Sequence, residues 1–201
     1  PAISPYLSTK DILELVAALQ DYARDQGWAG IQMVLPPSLY QLVPSDTLEF
    51  ALYFQGFRLT NRWLCPVIPI AAGADGRYLG LFRDTHSNRV RAGLRKRLRV
   101  VEGGLDQLTP FLSVYEDTYQ RHGVPPTHSA AEIADLLQRL PDRVRVHLVF
   151  LDASPVAGML VFLINPRVAY TFYICVSTAH AREPGSVVAF ASLIDSLGAQ
   201  G

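Results

Sequence analysis

Three groups of side chains in this sequence are equipped for chemistry. His128 stands beside Thr127, just ahead of a helix start. An imidazole is suited to accept a proton near neutral pH, although the pair also fits a role in anchoring the Pro125–Pro126 turn. Tyr170 and Tyr173 lie in one strand-like run. Phenols there either donate hydrogen bonds and protons or pack in a core with satisfied hydroxyls. Strict alternation predicts opposite faces for the two, with Phe172 on the face of Tyr170. The third group is the basic run Arg89, Arg91, Arg95, Lys96, Arg97 and Arg99. Arg91, Arg95 and Arg99 recur every four residues and predict a ridge, with Val90, Leu94 and Leu98 as an apolar seam. Such a ridge either binds phosphates or is a solvated helix face, and no aromatic interleaves it for base stacking.

Other chemistries find no support. The five histidines are scattered and the two cysteines isolated, so no metal site is expected. A Gly-x-Ser-x-Gly elbow for serine hydrolysis is missing. Glu132 is explained by capping, and Arg121 and His122 by the negative end of a helix.

These groups must be carried by an alternation of helices and strands. Ser8 and Asp11 open an amphipathic helix to Gln26, with Ile12, Leu15, Val16, Leu19 and Tyr22 on one face and Gly27 as its stop. Gly30–Leu35 reads as a short buried strand, Asp46–Gln55 as a helix, and Phe57–Ile70 as extended chain confined by two prolines to an edge. Gly73–Gly76 reads as a turn. His86–Leu98 is the basic helix, and Val100 and Val101 begin an extended piece ending at Gly103-Gly104. A helix follows over Pro110–His122, with Thr109 as cap and Gly123 as stop. Ser129 and Glu132 form a capping box for a helix to Leu140. Three strands come next, Val144–Leu151, Val156–Ile164 and Val168–Val176, joined by short turns into an antiparallel meander. A last helix runs from Ser186 to Leu197.

The chain has 201 residues, 49% hydrophobic and 18% charged, which is ordinary globular composition. Eighteen basic and 18 acidic side chains cancel, so attraction for nucleic acid or membrane must come from a local patch. Cys65 and Cys175 sit in apolar stretches and read as buried free thiols, which suits a reducing, cytoplasmic setting. The longest apolar stretch, Pro155–Ile164, is far short of the roughly 20 residues that span a bilayer, and no signal-peptide pattern is present. The start at Pro1, without methionine, and the stop at Gly201 directly after a helical pattern suit a piece of a longer enzyme.

A family resemblance sharpens this. The stretch Tyr115-Glu116-Asp117-Thr118-Tyr119-Gln120-Arg121-His122-Gly123 resembles the Tyr-x-x-Thr-x-x-Arg-His-Gly helix of Fem-like transferases, and Pro126-Thr127-His128-Ser129 with Glu132-Ile133 continues it. Val156-Ala157-Gly158 and Ala169-Tyr170-Thr171-Phe172-Tyr173 are similar to the next strands of the same unit. Ile31 to Pro37, Tyr40 and Gly56-Phe57 resemble the end of the upstream half in such proteins. The resemblance implies a GNAT-superfamily fold of the α/β (α+β) class, a mixed, mostly antiparallel sheet flanked by helices. Residues 1–83 would be the C-terminal part of one GNAT-like half, and 84–201 a second half lacking its last strands.

The implied activity is an N-acyltransferase, in which an amine of a cell-wall or polysaccharide precursor attacks the acyl donor directly. The donor would be acetyl-coenzyme A or another acyl carrier, aminoacyl-tRNA included, and the acceptor a small-molecule, glycan or peptide amine. His128 would take the amine proton, while Tyr170 or Tyr173 would polarise the carbonyl or protonate the leaving thiolate. Arg91, Arg95 and Thr127 would touch substrate. Arg182, Gly185 and Ser186, in a partial Arg-x-x-Gly-x-Gly signature at a helix start, would hold the donor's phosphates. Val187 replaces the last small residue of that signature and is expected to crowd a phosphate. The rival reading is a non-catalytic binding module with the same fold.

Overall fold

The computed structural model describes Ser4, residues 6–70 and residues 80–199; the turn expected at Gly73–Gly76 lies outside them. The chain forms two compact units, Pro1–Val67 and Ile68–Gly201.

In the first unit, helix α1 (Thr9–Asp25) starts in a complete capping box: Ser8 Oγ accepts from the Asp11 amide, and the Asp11 carboxylate accepts from the Ser8 amide. Helix α2 (Thr47–Phe54) lies against it, burying Ile12, Val16, Ala51 and Leu52 together. Leu15 and Tyr22, expected on the buried face, are exposed. Two readings fail here. Gly30–Leu35 forms no strand, and neither does Phe57–Ile70. A strand needs a partner for its backbone groups, and these runs find none among the described residues; Met33, Leu35 and Phe57 spend their apolar surface on the α1–α2 core instead. Cys65 is exposed rather than buried; Cys175 is buried, and both thiols are free.

The second unit is built on a four-stranded antiparallel sheet in the order β1-β2-β3-β4, where a mostly antiparallel one was expected. Its strands are β1 (Arg99–Gly103), β2 (Val144–Leu151), β3 (Ser154–Asn165) and β4 (Val168–Val176). Helices α4 (Leu108–His122) and α5 (Ala130–Arg139) cover one face, around Phe111, Tyr115, Ile133, Leu137, Leu148 and Leu160. Helix α6 (Gly185–Ala199) covers the other, over Val149, Ala157, Met159 and Val161. Thr109 is not the cap of α4, since a 3-10 turn over Leu105–Gln107 already leads the chain into it. Gly123 ends that helix at φ +66°, as its stop signal requires.

Helix α3 (Asp84–Arg95) carries the basic run and ends three residues earlier than the pattern suggested. Arg97 adopts φ +62° and turns the chain into β1, so Arg99 leaves the ridge and places its guanidinium 5.1 Å from the centre of the Phe150 ring. Leu94 is 58% exposed; the true seam of α3 is Ser87, Val90 and Gly93.

On the α6 face, β2 buries His147 to 2% exposure. Its Nδ1 has no hydrogen-bond partner among the described residues, and its Nε2 lies 3.9 Å from Glu102 Oε2. Arg145 Nε reaches the same carboxylate at 3.7 Å, and the Ser196 hydroxyl donates to it at 3.4 Å. Burial lowers the His147 pKa; Glu102 opposes this and Arg145 adds to it. The unfolded chain therefore binds this proton more readily than the folded one. Stability conferred by neutral His147 is intact above the unperturbed value of roughly 6.5 and is lost as pH falls below it. Thermal melts between pH 8 and 5 should show an acid-side decline that His147→Phe makes shallower; parallel curves for the two proteins would disprove the assignment.

Candidate active site

The chemistry-bearing residues gather on the α4–α5 face because β4 is irregular. Leu160 of β3 faces Tyr173 and the next residue, Val161, faces Thr171, so Phe172 is an extra residue without a partner. This bulge shifts the alternation by one. Tyr170 is paired with Phe162, and Tyr173 with Leu160, both on the α4–α5 face. The expectation of opposite faces is therefore wrong, because it assumed an unbroken period of two. Tyr170, Phe172 and Tyr173 stand together, the Phe172 ring centre 6.2 Å from that of Tyr170 and 4.5 Å from that of Tyr173.

The α4–α5 connection delivers His128 to this cluster. Its Nδ1 hydrogen-bonds the Tyr173 hydroxyl, and its ring centre is 5.6 Å from that of Phe172. Ser129, the next residue, caps α5 in a box with Glu132, which fixes where the loop stops and the helix begins. Thr127 meets Tyr119, with the two hydroxyls 3.5 Å apart. Burial first, and then the Tyr115 phenol, raise the Tyr173 pKa, so the Tyr173 phenol stays protonated at neutral pH.

Two tyrosines missed in the sequence complete the arrangement. Tyr115, 1% exposed, donates to the His128 carbonyl at 2.9 Å and accepts from the His128 amide at 3.2 Å. One phenol thus holds both backbone groups of the imidazole's own residue. Tyr115 and Tyr119 ring centres lie 5.0 and 6.4 Å from that of Tyr173. The signal was present: Tyr115 and Thr118 are the first two letters of the helical motif. Thr118 Oγ1 donates to Val114 O at 2.8 Å and accepts from the Val176 amide at 3.0 Å, tying α4 to the end of β4. Asp117 accepts from the Thr178 amide at 2.6 Å, and hydrogen bonding to the Thr178 side chain first, then to its amide, lowers the Asp117 pKa. Tyr115→Phe should cost about 1 kcal/mol, the lower end for lost buried hydrogen bonds because water can reach the half-buried loop. A denaturant midpoint unchanged from the parent would refute this.

The residues assigned to phosphate lie at the start of α6, on the opposite face of the sheet. Arg182 is exposed, Ser186 is half-buried, and Gly185 begins the helix. A Cβ on Gly185 would come 2.8 Å from Ala157 Cβ and 3.2 Å from Val156 Cγ2, so glycine lets the helix start press onto β3. Val187 does not crowd this loop; it is buried against Val90 and Ala191, between α3 and α6. Glu183 pairs with Lys96 at 2.9 Å, binding the loop to the end of α3. Arg91 and Arg95 are exposed on α3, and Arg91 donates to Asn88 Oδ1 at 3.2 Å. Among the described residues no contact brings them to His128. Val176, where β4 runs into this loop, is three residues from Tyr173, about 10 Å along the strand.

Residues 82–201 match the family model described as an acetyltransferase (GNAT) domain. The chain belongs to the GNAT acetyltransferase family. No curated protein sequence matches it. Among solved structures, FemX is similar at 12% identity and TM-score 0.68, over 96% of this chain and 67% of that one. The C-terminal domain of an Agrobacterium fabrum protein named as a lysylphosphatidylglycerol synthetase is similar at 14% identity and TM-score 0.46, over 60% and 40%. An aminoglycoside acetyltransferase from an uncultured soil metagenomic sample, in complex with sisomicin, follows at 15% identity and TM-score 0.40, over 51% and 72%. At this identity the likeness to FemX is one of fold.

As a GNAT enzyme the chain is an N-acyltransferase, acting on an acyl donor and an amine acceptor. Beside its His128–Tyr173 pair lies a groove of about 370 Å³ between α5 and the strands, floored by Leu160, Phe162, Phe172 and Tyr173 and rimmed by Glu132, Asp135 and Arg139. Among the described residues of this GNAT chain no group of three His, Cys, Asp or Glu side chains is placed to hold a metal ion, and no helix is long and apolar enough to cross a membrane.

Proposed function

We propose that the chain transfers an acyl group to an amine of a cell-wall or polysaccharide precursor, with His128 as base and Tyr173 as proton donor. The observation that carries this is the hydrogen bond between His128 Nδ1 and the Tyr173 hydroxyl at the wall of the groove. With the proton on Nδ1, the imidazole donates to Tyr173 and leaves Nε2 to receive the amine proton. The amine nitrogen attacks the acyl carbon, the carbon–sulfur bond to the carrier breaks, and the thiolate takes a proton supplied through the Tyr173 phenol. Most of the rate comes from holding the two reactants together and from polarising the carbonyl.

Acetyl-coenzyme A is the donor in this reading. Its phosphates would lie against the first-turn amides of α6 beside Arg182, and its acyl arm would follow β4, the last strand of the described sheet, to Tyr173. One observation favours aminoacyl-tRNA as a second reading: α3, with exposed Arg91 and Arg95, packs beside the start of α6 and offers cations there. Residues 1–83 are taken as the end of an upstream GNAT-like half and 84–201 as a second half without its last strands; the start of the family match at residue 82 supports a boundary near there, although the compact units divide at Val67.

A thermal-shift titration tests the donor. Acetyl-coenzyme A at one hundred times its Kd should add about 2.7 kcal/mol of stability, and Arg182→Ala should weaken the effect. Stabilisation by aminoacyl-tRNA alone would support the second reading. Stabilisation by neither would leave a binding module with a GNAT fold.

A further inference from the structure

We propose that the groove between α5 and β4 seats an amino sugar: the acceptor's pyranose ring lies on Phe172 and its amine reaches His128. This names the acceptor class and rests on the transferase reading of the His128–Tyr173 pair.

Size is the first argument. About 370 Å³ is near the lower end of the roughly 300–1,000 Å³ of ligand pockets, room for one ring and its substituents rather than a nucleotide-linked precursor. The floor is the second. The bulge pushes Phe172 out of the ladder and leaves it 36% exposed, its back braced edge-on by Phe162, ring centres 5.1 Å apart at 90°. An aromatic face is electron-rich, and the C–H bonds on one face of a pyranose are slightly positive, so the two surfaces attract. A linear alkylamine lacks that flat face. Charge is the third. The rim residues are two carboxylates, Glu132 and Asp135, and one cation, Arg139, whose Nε already bonds Asp135 at 2.7 Å. Carboxylates accept hydrogen bonds from sugar hydroxyls and attract an ammonium, whereas a diphosphate would be repelled. The nucleotide or lipid carrier of a precursor would therefore extend out of this groove. At its inner end, His128 and Tyr173 line the same cavity, which puts the reacting pair within reach of a ring substituent.

The test compares glucosamine with 6-aminohexanol in two assays, calorimetric binding without donor and acetylation with acetyl-coenzyme A. Phe172→Ala should weaken glucosamine binding and raise its KM about tenfold, the size of one aromatic contact, with kcat nearly unchanged. Phe172→Trp should restore both, and 6-aminohexanol should respond to neither variant. Equal binding of the two amines, or glucosamine binding that Phe172→Ala leaves within twofold, would overturn the proposal even if acetylation proceeds. Phe172-dependent glucosamine binding without any acetylation would support the groove assignment and remove acetyl-coenzyme A as the donor. Melting curves check that each variant is folded.

Discussion

Replacing His128 by alanine should lower kcat by about 10²–10⁴-fold, the range for loss of a general base, with little change in melting temperature. The separation of the two effects follows from how the residue is held. Tyr115 bonds the His128 carbonyl and amide, which alanine keeps, and the capping box of α5 starts one residue later. Only the imidazole leaves, and with it the site that receives the amine proton. Tyr173→Phe should fall in the same direction, since it removes the hydroxyl but keeps the ring packed edge-on among Tyr115 and Tyr119 and tilted against Phe172. Because the two groups share one hydrogen bond, the double variant should be scarcely worse than the poorer single one. Steady-state kinetics with acetyl-coenzyme A and an accepted amine decide the matter. A His128→Ala enzyme within threefold of the parent would end the base assignment.

Gly185→Val should destabilise the second unit by about 3 kcal/mol, the upper end for overpacking a tight contact. The new Cβ would sit 2.8 Å from the Cβ of Ala157, and neither carbon belongs to a flexible side chain that can swing aside. The start of α6 has to lift away from β3, loosening the contacts of Val188, Ala189 and Leu193 with the sheet. The same shift displaces the first-turn amides, so acetyl-coenzyme A should lose affinity along with stability. A calorimetric melt and a donor titration measure the two effects. A variant that melts with the parent would mean that α6 moves more freely than its packing implies.

Helices with strong end signals were legible from residues alone. Ser8 with Asp11, and Ser129 with Glu132, marked two starts correctly, because a capping box is a local bond between side chain and backbone four residues apart at most. The meander was legible too, since β2, β3 and β4 each combine β-branched and aromatic residues with short turns. What failed depended on partners. Gly30–Leu35 has the composition of a strand but no neighbour to pair with among the described residues. Leu94 has the spacing of a buried residue, yet α3 buries the adjacent stripe of Ser87, Val90 and Gly93 instead. At the site, His128 and Tyr173, both singled out in the sequence, do meet. Their meeting on the face that also carries Tyr170 could not be foreseen, because a bulge is set by how two strands match over their length. The helical motif marked Tyr115, but not its role: a phenol that clasps a backbone thirteen residues away shows only in the folded chain.

The bulge makes Phe172 a counting device as well as a side chain. Deleting that single residue would leave Val161 facing Thr171 and Phe162 facing Tyr170, so β4 would regain an unbroken period with Tyr170 and Tyr173 still on the α4–α5 face. A strand that kept Phe172 but paired it with Val161 would instead turn Tyr170 toward α6. The shared face of the two tyrosines therefore depends on Phe172 staying outside the ladder, and one lost codon would cost this strand a ring and not its order.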